Sequence, residues 1–309
     1  MAWIDTYRGT VHRWEVDNVD HFTVAYYFER FEDATAALLY TLGLDRASLT
    51  GTGRACVTLG CHVRYLRELR MGDILHIRSG VISTDADSFL VGHEVIDSGD
   101  GALCTTAAQR IALAEIESRT PLPLTQSQRD VAASLQIEWT GNETAQTNVD
   151  ATGTNGFLET ARDTIKPREL DSTGVAGFAA YIHRFSAANG HVLAAFGVTP
   201  AYLKNERRGF STFEFNLRFG DPMRAGDLVR VQSALVHVGN SSMRILHQMT
   251  KVGSSKTSAT LEQAGVHLDM VARRPTPLPE EMRARAKALL LVGDQKKDDR
   301  RGHDAGAGA

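Results

Sequence analysis

Asp17 and His21 stand four residues apart in a short polar loop, Asp17-Asn18-Val19-Asp20-His21-Phe22. The loop runs directly into an aromatic-rich stretch, Thr23-Val24-Ala25-Tyr26-Tyr27-Phe28. A carboxylate and an imidazole so placed could carry nucleophilic or acid–base chemistry. The carboxylate attacks a carbonyl or draws a proton from water, and the histidine orients or carries a proton. Free backbone N–H groups at the start of a following helix would receive the developing oxyanion. Each residue also has a bland role: Asp17 as a cap on backbone donors, His21 as an exposed loop histidine.

The chain repeats itself. A shift of 154 positions lays residues 15–95 over 169–249 without a gap. Shared residues include Glu15/Glu169, Asp17/Asp171, Tyr27/Tyr181, Arg30/Arg184 and His93/His247. A period this long is a duplicated domain rather than a solenoid unit. Two such domains can pair as a homodimer would. Asp171 restates the loop carboxylate, but Val175 stands where the first copy has His21. Asp17 is therefore the stronger catalytic candidate and Asp171 the weaker. His93 and His247 occupy equivalent strand positions, which suits a shared core role.

The elements that must position these residues follow from periodicity. Extended segments are expected around 9–16 and 160–170. Long helices follow over 23–42 and 177–196, with Phe28, Phe31, Leu38 and Leu39 on one stripe. Gly43 and Gly197 close them where a left-handed cap is usual. The period then drops to two, giving four successive strands per copy with turns such as Met71-Gly72-Asp73 and Ala225-Gly226-Asp227. Short helices follow the PLP motifs in 121–135 and 277–291. One helix lying on an antiparallel sheet is the natural α+β solution.

Composition narrows the function. The 309 residues carry a net charge of −3, which argues against a nucleic-acid partner. The apolar runs are too short for a membrane span, and the N-terminus lacks the apolar core of a signal peptide. Three cysteines, Cys56, Cys61 and Cys104, form no framework and read as small buried hydrophobes. A cytoplasmic location is expected. Neither a metal-binding spacing nor a G-x-S-x-G elbow is present in the sequence.

Asp17, His21, Tyr27, Phe31 and Ala34 match the loop-and-helix signature of a known family. The chain resembles the hotdog-fold acyl-CoA thioesterases of the 4-hydroxybenzoyl-CoA thioesterase type, in particular the carnitine and betaine branch. It departs from the pattern at Asp20, where a glycine is usual; Gly174 restores it in the second copy. The resemblance implies two tandem hotdog domains, 1–137 and 158–292; the polar, non-periodic stretch within 138–157 reads as their linker and the charged, Gly/Ala-rich 293–309 as a disordered tail. It implies hydrolysis of an acyl-CoA to free acid and CoA, with no cofactor or metal, the acyl group entering between paired domains. Arg64 and Arg218 are then candidates for the CoA phosphates. Association of double-hotdog units into a homo-oligomer is compatible with this reading. A hotdog hydratase fits less well: it resembles a loop with histidine five after aspartate and a proline between. A non-catalytic acyl-CoA-binding module is the remaining alternative.

Overall fold

The computed structural model describes residues 3–17, 20–141 and 156–291. Most of the expected linker, 142–155, and the whole expected tail, 293–309, lie outside the described residues.

The first repeat runs β1 (Ile4–Thr10), α1 (Val24–Thr41), α2 (Arg46–Leu49), β2 (Arg54–Tyr65), β3 (Ile74–Thr84), β4 (Ser88–Asp97), β5 (Leu103–Glu115) and α3 (Gln126–Ser134). The second runs β6 (Leu158–Thr164), α4 (Phe178–Phe196), α5 (Pro200–Glu206), β7 (Arg208–Phe219), β8 (Leu228–Val238), β9 (Ser242–Lys251), β10 (Thr257–Asp269), a two-residue β11 (Arg274–Pro275) and α6 (Glu280–Ala288). Each of β1 to β5 recurs as β6 to β10 with its bounds displaced by the same 154 residues.

The strands form one antiparallel sheet in the order β1-β3-β4-β5-β2-β7-β10-β9-β8-β6, with β11 on β10. The halves join edge to edge where β2 pairs with β7. His62 there faces Asn216, its own counterpart across the duplication, as a pseudo-two-fold axis requires. Pairing satisfies two edges that separate domains would leave open.

Both long helices lie on one face of this sheet. Phe28 and Phe31 of α1 and Phe185 of α4 are fully buried in a core shared with Cys61, Phe215 and Leu261. Burying each such side chain stabilises the fold by roughly 1.5–3 kcal/mol. The turn glycines Gly72 and Gly226 adopt φ of 90° and 88°, which only glycine enters at low cost.

The extended segments lie earlier than periodicity suggested. β1 and β6 end at Thr10 and Thr164, and the chain then curls into short 3-10 turns at Arg13–Glu15 and Pro167–Glu169. The curl has a cause. Glu15 accepts the His12 N–H at 2.9 Å and pairs with Arg30 of α1. Glu169 likewise accepts the Lys166 N–H at 2.7 Å, and Arg184 grips both its oxygens at 3.0 Å. The recurrence of Glu15/Glu169 and Arg30/Arg184 is thus structural: each pair ties the approach loop to its helix.

Candidate active site

Two clefts of about 440 and about 500 Å³ lie at pseudo-equivalent places, each built from both repeats. The first takes Asp17, His21 and the start of α1 from one repeat, and Ser186, Asn189 and Thr212 from the other. The second takes Asp171 and the start of α4, facing Glu32, Thr35 and Thr58.

In the first cleft the loop is shaped by its own carboxylate. Asp17 Oδ1 accepts the His21 N–H at 3.0 Å, and Asp17 N donates to His21 O at 2.9 Å. Asp20 sits at φ 61°, the left-handed conformation that Gly174 takes with φ 79° in the other copy. The departure from the glycine pattern therefore leaves the backbone path intact. Thr23, the residue before α1, makes no side-chain cap bond, and the first turn holds no acidic residue. A helix start has N–H groups without intrahelical acceptors; Thr23 N–H already donates to Glu15 O at 2.9 Å, and Val24, first in α1, lines the cleft.

Opposite this helix start stand two polar groups of α4. Ser186 Oγ and Asn189 Oδ1 are buried and make no hydrogen bond. Buried polar atoms of this kind are rare, and in a cleft they mark where a ligand or water is held. Gln263 completes the floor, donating to Thr212 Oγ1 at 2.6 Å.

His21 meets a charged cluster at the cleft mouth. Arg273, from the second repeat, donates to His21 Nε2 and to Glu68. A guanidinium has only hydrogens to give, so His21 Nε2 accepts. The 3.2 Å approach of Nε2 to Glu68 then bears no hydrogen of its own. Burial, with Arg273 and Arg70 assisting, holds the imidazole below its usual pKa against the opposing charge of Asp17. The neutral form therefore dominates near pH 7.

The second cleft differs at the decisive place. Phe178 N, first in α4, donates to Glu32 Oε1 at 2.5 Å. The equivalent of Glu32 over the first cleft is Ser186. Burial pushes the Glu32 carboxyl up to about 7, with the Asp171 charge adding to the shift and the Phe178 N–H opposing it. Asp171 Oδ1 is held by its own loop, accepting Thr173 N and Thr173 Oγ1 at 2.7 Å and Val175 N at 3.3 Å. The second helix start is thus already occupied by a carboxyl group.

Arg64 and Arg218 lie away from both clefts. They alternate with Val63, Tyr65, Leu217 and Phe219, whose side chains face the helices, so the arginines point to the opposite sheet face. His93 and His247 are fully buried, bonded to Ser79 and Ser233 at 2.7 Å, in the core role expected of them. Among the described residues no cluster of His, Cys, Asp and Glu is arranged to hold a metal.

Glu32, Ser186, Asn189, Glu68 and Arg273 were not singled out from sequence. The polar breaks at Glu32 and Thr35, aligned with Ser186 and Asn189, were the available signal: polar residues on two helices that otherwise bury an apolar stripe.

The thioesterase-like superfamily profile matches residues 11–134 and 165–286. A betainyl-CoA thioesterase of Pseudomonas aeruginosa is 26% identical over 120 residues, 39% of this chain and 76% of that protein. The fused L-carnitine dehydrogenase/betainyl-CoA thioesterase of Rhizobium meliloti is 27% identical over 122 residues, 40% of this chain but only 22% of that protein. An acyl-ACP thioesterase from Bacteroides thetaiotaomicron shares the fold, with a TM-score of 0.65 at 15% identity over 84% of this chain and 96% of that one. With both of its repeats matched, the chain belongs to the thioesterase-like superfamily, carrying the family's domain twice.

Proposed function

We propose that this thioester hydrolase cleaves acyl-coenzyme A thioesters in the first cleft, with Asp17 as nucleophile or general base. The supporting observation is the meeting, in one cleft, of the Asp17 loop, an uncapped helix start and the unpaired polar atoms of Ser186 and Asn189. The thioester carbonyl oxygen takes the N–H groups at the start of α1, which stabilise the oxyanion of the tetrahedral intermediate. Asp17 attacks the carbonyl carbon directly, or removes a proton from a water that attacks. Collapse breaks the C–S bond and releases the CoA thiolate. After direct attack the acyl group stays on Asp17 as an anhydride that a water then hydrolyses to the free acid; after general-base attack the acid forms at once and the proton held by Asp17 passes to the thiolate. The aromatic wall, including Tyr27, Tyr65 and Phe215, suits a compact apolar or cationic acyl group. Betainyl-CoA, named for the Pseudomonas aeruginosa relative, is therefore the first substrate to assay.

The test is a panel of acyl-CoA thioesters monitored with a thiol-reactive dye. Release of one thiol per acid formed is expected for at least one compact acyl group. Absence of thiol release from every member, with binding retained, would leave the non-catalytic module as the correct reading.

A further inference from the structure

A second groove, of about 790 Å³, opens beside the first cleft. Its walls carry Arg70, Lys204, Arg207 and Arg273, against the single carboxylate of Asp20. The two spaces adjoin. Leu203 lines both, and Arg70 and Arg273 of the groove bind Glu68 of the cleft. In a chain of net charge −3, four cations around one opening are a local reversal of sign.

The duplication shows that half of these cations are particular to the first cleft. Arg70 and Arg273 have arginine counterparts 154 residues away, Arg224 and Arg119. Lys204 and Arg207 do not: their counterparts are Thr50 and Gly53. Arg207 holds a left-handed backbone, φ 52°, where Gly53 takes φ 71° without penalty. A side chain is disfavoured in that backbone conformation. The fold would be served by glycine, as the other repeat demonstrates.

We propose that this groove binds the phosphates of the 3′-phosphoadenosine diphosphate end of coenzyme A, with Lys204 and Arg207 as its phosphate ligands and Arg70 and Arg273 flanking the passage to Asp17. The inference rests on the acyl-CoA reading given above and adds the site that distinguishes the coenzyme from a simple thioester. Arginine forks match phosphate oxygens, and lysine adds a point charge. The acyl end enters the first cleft while the nucleotide stays at the surface beside α5.

The test uses the full chain with Lys204→Thr and Arg207→Gly combined, which installs the residues of the first repeat and relieves the Arg207 backbone. Titration with adenosine 3′,5′-diphosphate reads the groove without any hydrolysis. The parent is expected to bind it, and the double variant to bind at least about tenfold more weakly. In hydrolysis, the same variant should raise KM for an acyl-CoA about tenfold or more and leave the pantetheine thioester of the same acid unaffected. Equal binding by parent and variant would overturn the proposal, as would a loss confined to Arg64→Ala or Arg218→Ala. So would a loss confined to acyl-carrier-protein thioesters, which would make the groove a docking site for an acidic protein. If no thioester is hydrolysed, the hydrolytic reading fails while the nucleotide titration still decides the groove.

Discussion

Glu32 is the residue at which the two clefts part. Its carboxyl holds the N–H that starts α4 and is pushed up to about 7 by burial. A carboxyl with a raised folded pKa favours the native state below its unfolded value and loses that contribution as pH rises. Here the loss falls between about 4.5 and about 7. Glu32→Gln keeps an acceptor for Phe178 N–H and removes the charge. It should therefore stabilise the protein by on the order of 2 kcal/mol at pH 8 and do little at pH 4.5. Urea unfolding at the two pH values measures this; an equal effect at both would contradict it. The opposite sign is expected where a charge is already paired. Glu15 is almost fully buried against Arg30, and Glu15→Ala should cost about 3–5 kcal/mol by leaving that guanidinium unmatched. A thermal melt unchanged by this substitution would contradict the structural role given to the recurring pair.

At the scale of elements, the duplication repeats buried chemistry as well as shape. Thr6, Ser79, His93, Gln109 and Thr58 form one hydrogen-bonded chain, and Thr160, Ser233, His247, Gln263 and Thr212 form its copy. Burial pushes both histidines down to about 4. The unfolded chain binds their protons first as pH falls, so stability drops from about 6.5 toward about 4. Each should cost on the order of 2 kcal/mol between pH 6.5 and 5, before most carboxylates titrate. His21, His183 and His267, also lowered, act in the same direction. A flat stability profile across that window would refute the buried neutral assignment. The sequence disclosed these elements because each carries a long periodic signal: α1 begins one residue inside 23–42, and the strands follow the 154-residue offset. It did not disclose α2 or α5, which are too short to show a period. Nor did it disclose the partners across the clefts. Arg273 reaches His21 over 252 residues, and such a contact exists only once the repeats have paired.

At the scale of the molecule, the described strands form a single sheet, and the first cleft, proposed above as the active one, lies at the junction of the two repeats. Gly60 lies on the β2–β7 seam, where an added Cβ would come within 2.8 Å of the Leu217 carbonyl oxygen. Gly60→Val should destabilise the protein by about 1–3 kcal/mol. It should do so within one cooperative transition, because neither half keeps its paired edge without the other. Two separate melting steps, one of them unaffected, would show that the halves fold alone. The same junction assembles the site: α1 and its loop come from one repeat, Ser186, Asn189 and Thr212 from the other. The most direct test of the account is the turnover of Asp17→Asn on an acyl-CoA the parent hydrolyses, beside Asp171→Asn and with both variants' melting temperatures recorded. Asp17→Asn removes the charge at nearly constant shape, and should lower kcat by about 10²–10⁴-fold or more while melting near the parent. Asp171→Asn should stay close to the parent rate. Near-parental turnover by Asp17→Asn would contradict the account, and loss of turnover only in Asp171→Asn would move the chemistry to the second cleft.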